Sequence, residues 1–113
     1  ARVSVEALRR GGLAAAIEAA RRLRLAPAHL VFGHTHRTGR LAQDPAAEWR
    51  TPGGTQLHNA GTWIFDPLFV GRGAQSENPY WPGGAIALDD EGPPRLERLL
   101  GDVPAEVLRA PVS

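Results

Sequence analysis

The sequence predicts an α/β fold, and three observations carry that expectation. Leu13, Ala16, Ile17, Ala20 and Leu23 recur at three- and four-residue steps, the stripe of an amphipathic helix lying on a core. Directly after Pro27, residues 29–32 form a short apolar run rich in β-formers. Further short runs bounded by Gly, Pro, Asn and Asp follow, which is how half-buried strands are punctuated. With 113 residues, 42% of them apolar and 22% charged, one globular domain is the default expectation.

Taken in order, residues 5–10 suit a separate helical piece ended by Gly11 and Gly12, followed by the main helix over residues 13–23. Arg21, Arg22 and Arg24 close that helix as a solvated basic end complementing the macrodipole, a reading preferred to a phosphate-binding patch. The run 29–32 then reads as a strand buried on both faces. Residues 39–52 turn to Gly, Pro, Gln and Asp, an irregular excursion with a short turn expected at 44–48. The stretch "TPGGT" carries turn chemistry between two expected strands, 48–51 and 56–59. Residues 66–84 are too rich in Pro and Gly for regular structure, yet their aromatics imply a packed loop. A last hairpin pairs 85–88 with 95–100, although Leu96, Leu99 and Leu100 also fit a helical face, and the tail after Gly101 carries no signal.

Composition narrows the function classes. No 18-residue apolar run and no signal-peptide pattern occur, so no membrane partner and a cytoplasmic location are expected. Cysteine is absent, so any metal must be held by nitrogen and oxygen. A net charge of +1 gives no field that would make nucleic acid a dedicated partner. All 13 basic side chains are arginine, which together with the abundant Ala, Gly and Pro reads as coding bias and carries no mechanistic weight. Methionine is missing even at position 1, so the chain is expected to be a processed product or part of something longer.

The chemistry concentrates in "LVFGHTHRTG", residues 30–39. A strand ending in Gly33-His34-Thr35-His36 sets two imidazoles on a tight loop beyond a sheet edge, where α/β folds usually carry their binding groups. The i, i+2 spacing lets both rings face one cavity when the loop is extended. Neutral imidazole suits zinc, iron, nickel and copper, but catalytic zinc needs three protein ligands and binuclear sites need more.

"VFGHTH", followed about twenty residues later by "LHNAGTW", resembles the C-terminal motif block of the calcineurin-like metallophosphoesterases, in which Gly-His-x-His is the last metal-binding motif and an Asn-x-Gly-Ser-Trp-like segment follows. Asn59, Gly61, Thr62 and Trp63 match that segment, with Thr for Ser, and "NPYWPGGAIAL…PPRLERLL" is similar to the tail of bacterial members. The resemblance implies a four-layer sandwich, two packed mixed sheets flanked by helices, with residues 1–113 as the C-terminal portion of the domain. It implies hydrolysis of phosphomono- or phosphodiesters by a metal-activated hydroxide at a binuclear centre, with two divalent ions of Mn, Fe or Zn about 3.5–4 Å apart. His34 would bind one ion and His36 the other, with Thr35 as a spacer pointing away. Arg37 is a candidate phosphate contact, although a surface arginine after a loop is the preferred reading.

The departure from that family is large. Its Asp-x-His, Gly-Asp-x-x-Asp and Gly-Asn-His-Asp/Glu motifs lie upstream of Gly-His-x-His and are absent here; every aspartate of this chain follows the histidine pair. The segment alone is therefore expected to be inactive. The alternatives are a non-catalytic scaffold on the same fold and a small independent metal- or partner-binding domain. Self-association is expected from sheet edges that a severed sandwich would expose. Elsewhere, His29 reads as structural or exposed and His58 as structural. Asn59 either orients the histidine loop or packs within its strand, and Trp49, Trp63, Tyr80 and Trp81 read as core and loop anchors.

Overall fold

A computed structural model describes residues 5–71 and 77–109. The chain runs α1 (Val5–Arg22), β1 (His29–Phe32), a 3-10 turn (Ala46–Trp49), β2 (Gln56–Asn59), α2 (Pro67–Val70), β3 (Gly84–Ala87), β4 (Arg95–Arg98) and α3 (Ala105–Leu108). It is a mixed α/β structure with two small sheets: β1 and β2 pair in parallel, β3 and β4 antiparallel.

Helix α1 is continuous through Gly11 and Gly12, where the sequence suggested a break. Packing explains this: a Cβ on Gly12 would lie 2.8 Å from Thr35 Cγ2, so the glycine lets the helix approach the histidine loop. Leu13 enters the core with Trp49 and Leu57, joined by Ile17, Leu30 and Phe32, so the first part of the predicted stripe packs on the parallel sheet, whereas Leu23 lies beyond the end of α1 and is 67% exposed. Arg21 and Arg22 both bond Glu18 on the exposed face and hold its carboxyl at about 2, a solvated helix end.

Strand β1 is not buried on both faces. Leu30 and Phe32 turn to the core, while Val31 on the other face is 43% exposed. The expected strand over 48–51 is reduced to one bridge between Arg50 and Gln56, because the 3-10 turn takes up Trp49 to fill the core. The "TPGGT" turn forms as expected, with Gly54 N donating to Thr51 O and Thr51 N to Thr55 O.

Of the stretch 66–84, residues 72–76 lie outside the described residues, and the rest is not wholly irregular. Asp66 caps α2 by accepting from Leu68 N, and Pro67 occupies the first helical position, a start signal visible in "DPLFV". Around α2, Val70, Tyr80 and Trp81 form a second buried cluster, with Phe65, Phe69, Ala105 and Leu108 packed against it. The tail after Gly101 thus supplies α3 to that cluster. The last hairpin pairs Ile86 with Leu96 and Gly84 with Arg98. Trp49, Tyr80 and Trp81 are buried anchors, but Trp63 is 61% exposed, its indole N–H donating to Gly84 O. No described helix is long and apolar enough to cross a membrane.

Candidate metal-binding loop

β1 delivers the chain to Gly33, and His34 then reverses it with φ +77°, a left-handed conformation uncommon for a residue other than glycine. The tight loop that follows is fixed from below by Asn59 at the end of β2, whose side chain is fully buried. Asn59 Nδ2 donates to Thr35 O at 2.9 Å and to Thr35 Oγ1 at 2.6 Å, and Asn59 Oδ1 accepts from Gly61 N. The backbone of Asn59 exchanges both hydrogen bonds with Gly39, and Thr38 N donates to Pro79 O. The loop is therefore pinned between the histidines, at Thr35, and just after them, at Thr38 and Gly39.

Thr35 is turned inward between Asn59 and Gly12, whereas His34 and His36 are exposed on either side of it. His36 also faces the Phe69 ring edge-on at 6.5 Å. Two solvent-facing imidazoles on a pinned loop fit the nitrogen donors that a borderline divalent ion takes. The set is incomplete, however: among the described residues no group of three His, Cys, Asp or Glu is placed to hold a metal. Two acids of the following arch, Asp44 and Glu48, are held by the next residue, Arg37.

Arg37 is not a surface residue. It is 5% exposed, lies over the Trp49 ring at 4.9 Å, and donates to Glu48 at 3.0 Å, with Asp44 3.6 Å away. Asp44 in turn accepts from Leu41 N. The guanidinium thus ties the arch after the histidine loop to the core, and these contacts leave it a structural clamp rather than a ready phosphate contact. Nothing local in the sequence marks this, because the partners lie seven and eleven residues on.

His29 and His58 meet across the outer face of β1 and β2, with Nδ1 and Nε2 3.1 Å apart. One nitrogen must donate and the other accept, so the pair is stable with at least one ring neutral. Burial pushes His58 below its ordinary range, and the neighbouring His29 adds to the shift. A folded-state pKa below the unfolded value of about 6.5 means that the unfolded chain binds protons first on acidification. Stability is then complete above that value and falls as the pH drops through it. His58→Gln should flatten this part of the fall in urea unfolding between pH 7.5 and pH 5; an unchanged pH profile would show that the pair does not couple to folding.

Periodicity placed the Gly33–His36 loop at a strand end, and there it lies. It could not show the register that brings His29 to His58, since register across parallel strands is not a local property. No protein-family model, no curated protein and no solved structure matches this chain.

Proposed function

We propose that the chain is the C-terminal portion of a calcineurin-like phosphoesterase domain, part of a cytoplasmic metal-dependent phosphohydrolase acting on phosphomono- or phosphodiesters. What carries the reading is the pinned Gly33-His34-Thr35-His36 loop at the end of a strand whose parallel neighbour ends in Asn59, bonded to the loop. His34 and His36 would each hold one divalent ion of Mn, Fe or Zn. When bound, such ions supply Lewis acidity to a phosphoryl oxygen and lower the pKa of water. Asn59 keeps Thr35 turned inward, which leaves both imidazoles at the surface. The remaining ligands, and the rest of a four-layer sandwich, would come from residues outside this chain.

The exposed outer face of β1 at Val31 supports that reading, since a further layer of the sandwich packed on that face would cover it. In isolation the same surface favours self-association, which a purely monomeric sedimentation profile would contradict. The 113-residue chain should not hydrolyse bis(p-nitrophenyl) phosphate in the presence of Mn²⁺, whereas the intact gene product should. In the intact product, His34→Ala or His36→Ala should each cost more than the roughly 10–100-fold typical of losing an outer-shell partner. An intact product that folds but shows no metal-dependent turnover would instead favour the non-catalytic scaffold.

A further inference from the structure

Residues 40–50 arch over the side of β2 opposite β1. The arch is fastened at both ends by backbone bridges, Gly39 to Asn59 and Arg50 to Gln56. Beneath it lies an open cavity of about 270 Å³, lined on its far side by Pro93, Pro94 and Leu96 of the second hairpin. Its polar lining is Arg40, Arg50, Gln56 and His58, and among the described residues no carboxylate lines it.

The charge of this cavity is unusual for a protein of net charge +1. Arg21 and Arg22 pair with Glu18, Arg95 with Asp89, and Arg37 with Glu48. The arch's own acids, Asp44 and Glu48, are drawn to Arg37 and away from the cavity, and Arg40 and Arg50 form no ion pair among the described residues. Two uncompensated guanidiniums on one cavity give a concave positive surface whose walls concentrate its field. The rest of the lining is apolar: Leu41, Trp49 and Leu96 bound the space in which the body of a ligand would lie.

We infer that this cavity binds a small organic phosphate, its phosphoryl oxygens taken by Arg40 and Arg50 and its apolar part lying against Trp49 and Leu96. A phosphoryl dianion suits two guanidiniums, each presenting a planar fork, better than a carboxylate does, because a carboxylate is satisfied by one fork. The arch is braced beforehand by the Arg37 ion pairs, by Leu41 N on Asp44 and by Gln43 Nε2 on Glu77 O, so little backbone ordering is left for binding. The lining includes neither His34 nor His36, and the inference does not depend on the phosphohydrolase reading.

Phenylphosphonate is the probe, since its carbon–phosphorus bond resists hydrolysis and binding is read without turnover. Isothermal titration of the protein should give saturable binding that added salt weakens. Arg40→Gln and Arg50→Gln should each weaken it about ten-fold or more, the loss expected when a hydrogen bond to a charged group is removed. Both side chains are exposed, so these variants should keep the circular dichroism of the parent. Arg24→Gln, an equal change of charge away from the cavity, should leave affinity unaltered, and so should His34→Ala. Absence of saturable binding would overturn the inference, as would equal affinity for benzoate or for inorganic phosphate. A loss in Arg24→Gln or His34→Ala matching that in the cavity variants would overturn it too, as would a loss in only one of the two cavity arginines.

Discussion

Trp49→Ala is expected to lower the unfolding free energy by about 3–5 kcal/mol, the range for truncating a buried large aromatic residue. Trp49 is 2% exposed, forms a core cluster with Leu13 and Leu57, and supports the Arg37 guanidinium on its face. Its ring edge also fills the space beside Gly39, where a Cβ would collide with it. Truncation therefore removes the partner of three separate segments at once. Urea unfolding would show the midpoint lowered by more than about 1 M for a typical slope of 1–3 kcal/mol per molar. A loss below about 1 kcal/mol would mean that Trp49 is not a core residue.

Asn59→Asp is expected to cost about 3–5 kcal/mol at neutral pH, more than the roughly 2–3 kcal/mol of Asn59→Ala. Alanine removes three hydrogen bonds and strands Thr35 O and Gly61 N. Aspartate does more harm despite its matching shape, because an ionised oxygen would replace the Nδ2 donor opposite Thr35 O in a fully buried position. The new carboxyl would have its folded pKa raised above the ordinary value of about 3.9. Its protonated form, which can donate, is then the one the fold prefers, so the deficit should shrink as the pH is lowered towards that value and grow as the pH rises through the folded pKa. Comparing unfolding of both variants at pH 5 and pH 8 tests this. Aspartate tolerated as well as asparagine at pH 8 would show that the bonds to Thr35 do not hold the histidine loop.

The histidine loop and the hairpin were legible because their signals are local. A glycine ends an apolar run at residue 33, and the turn residues of "DDEGPP" separate β3 from β4. The helix stripe was legible for the same reason, but its beginning was not. Gly11 and Gly12 carry a helix-breaking propensity of about 1 kcal/mol each, and the helix runs through both, with Gly12 packed against Thr35 and Gly11 facing open space. Arg37 shows the opposite failure: an arginine after a loop is ordinarily solvated, and only the arch that brings Asp44, Glu48 and Trp49 around it makes burial affordable. The His29–His58 contact and the cavity under residues 40–50 depend on register and on a long connection, neither of which leaves a periodic trace.

Those two sites also differ in how much of the chemistry this chain holds. The cavity is bounded by its own residues, whereas the histidine loop offers two donors where a binuclear centre needs more. The most direct measurement of the central claim is therefore metal stoichiometry by elemental analysis of the intact gene product, loaded with Mn²⁺ or Zn²⁺ and desalted by gel filtration. Two metals per chain, lost in His34→Ala/His36→Ala while the fold is retained, is the result the account predicts. No retained metal, or full occupancy in the double variant, would contradict it.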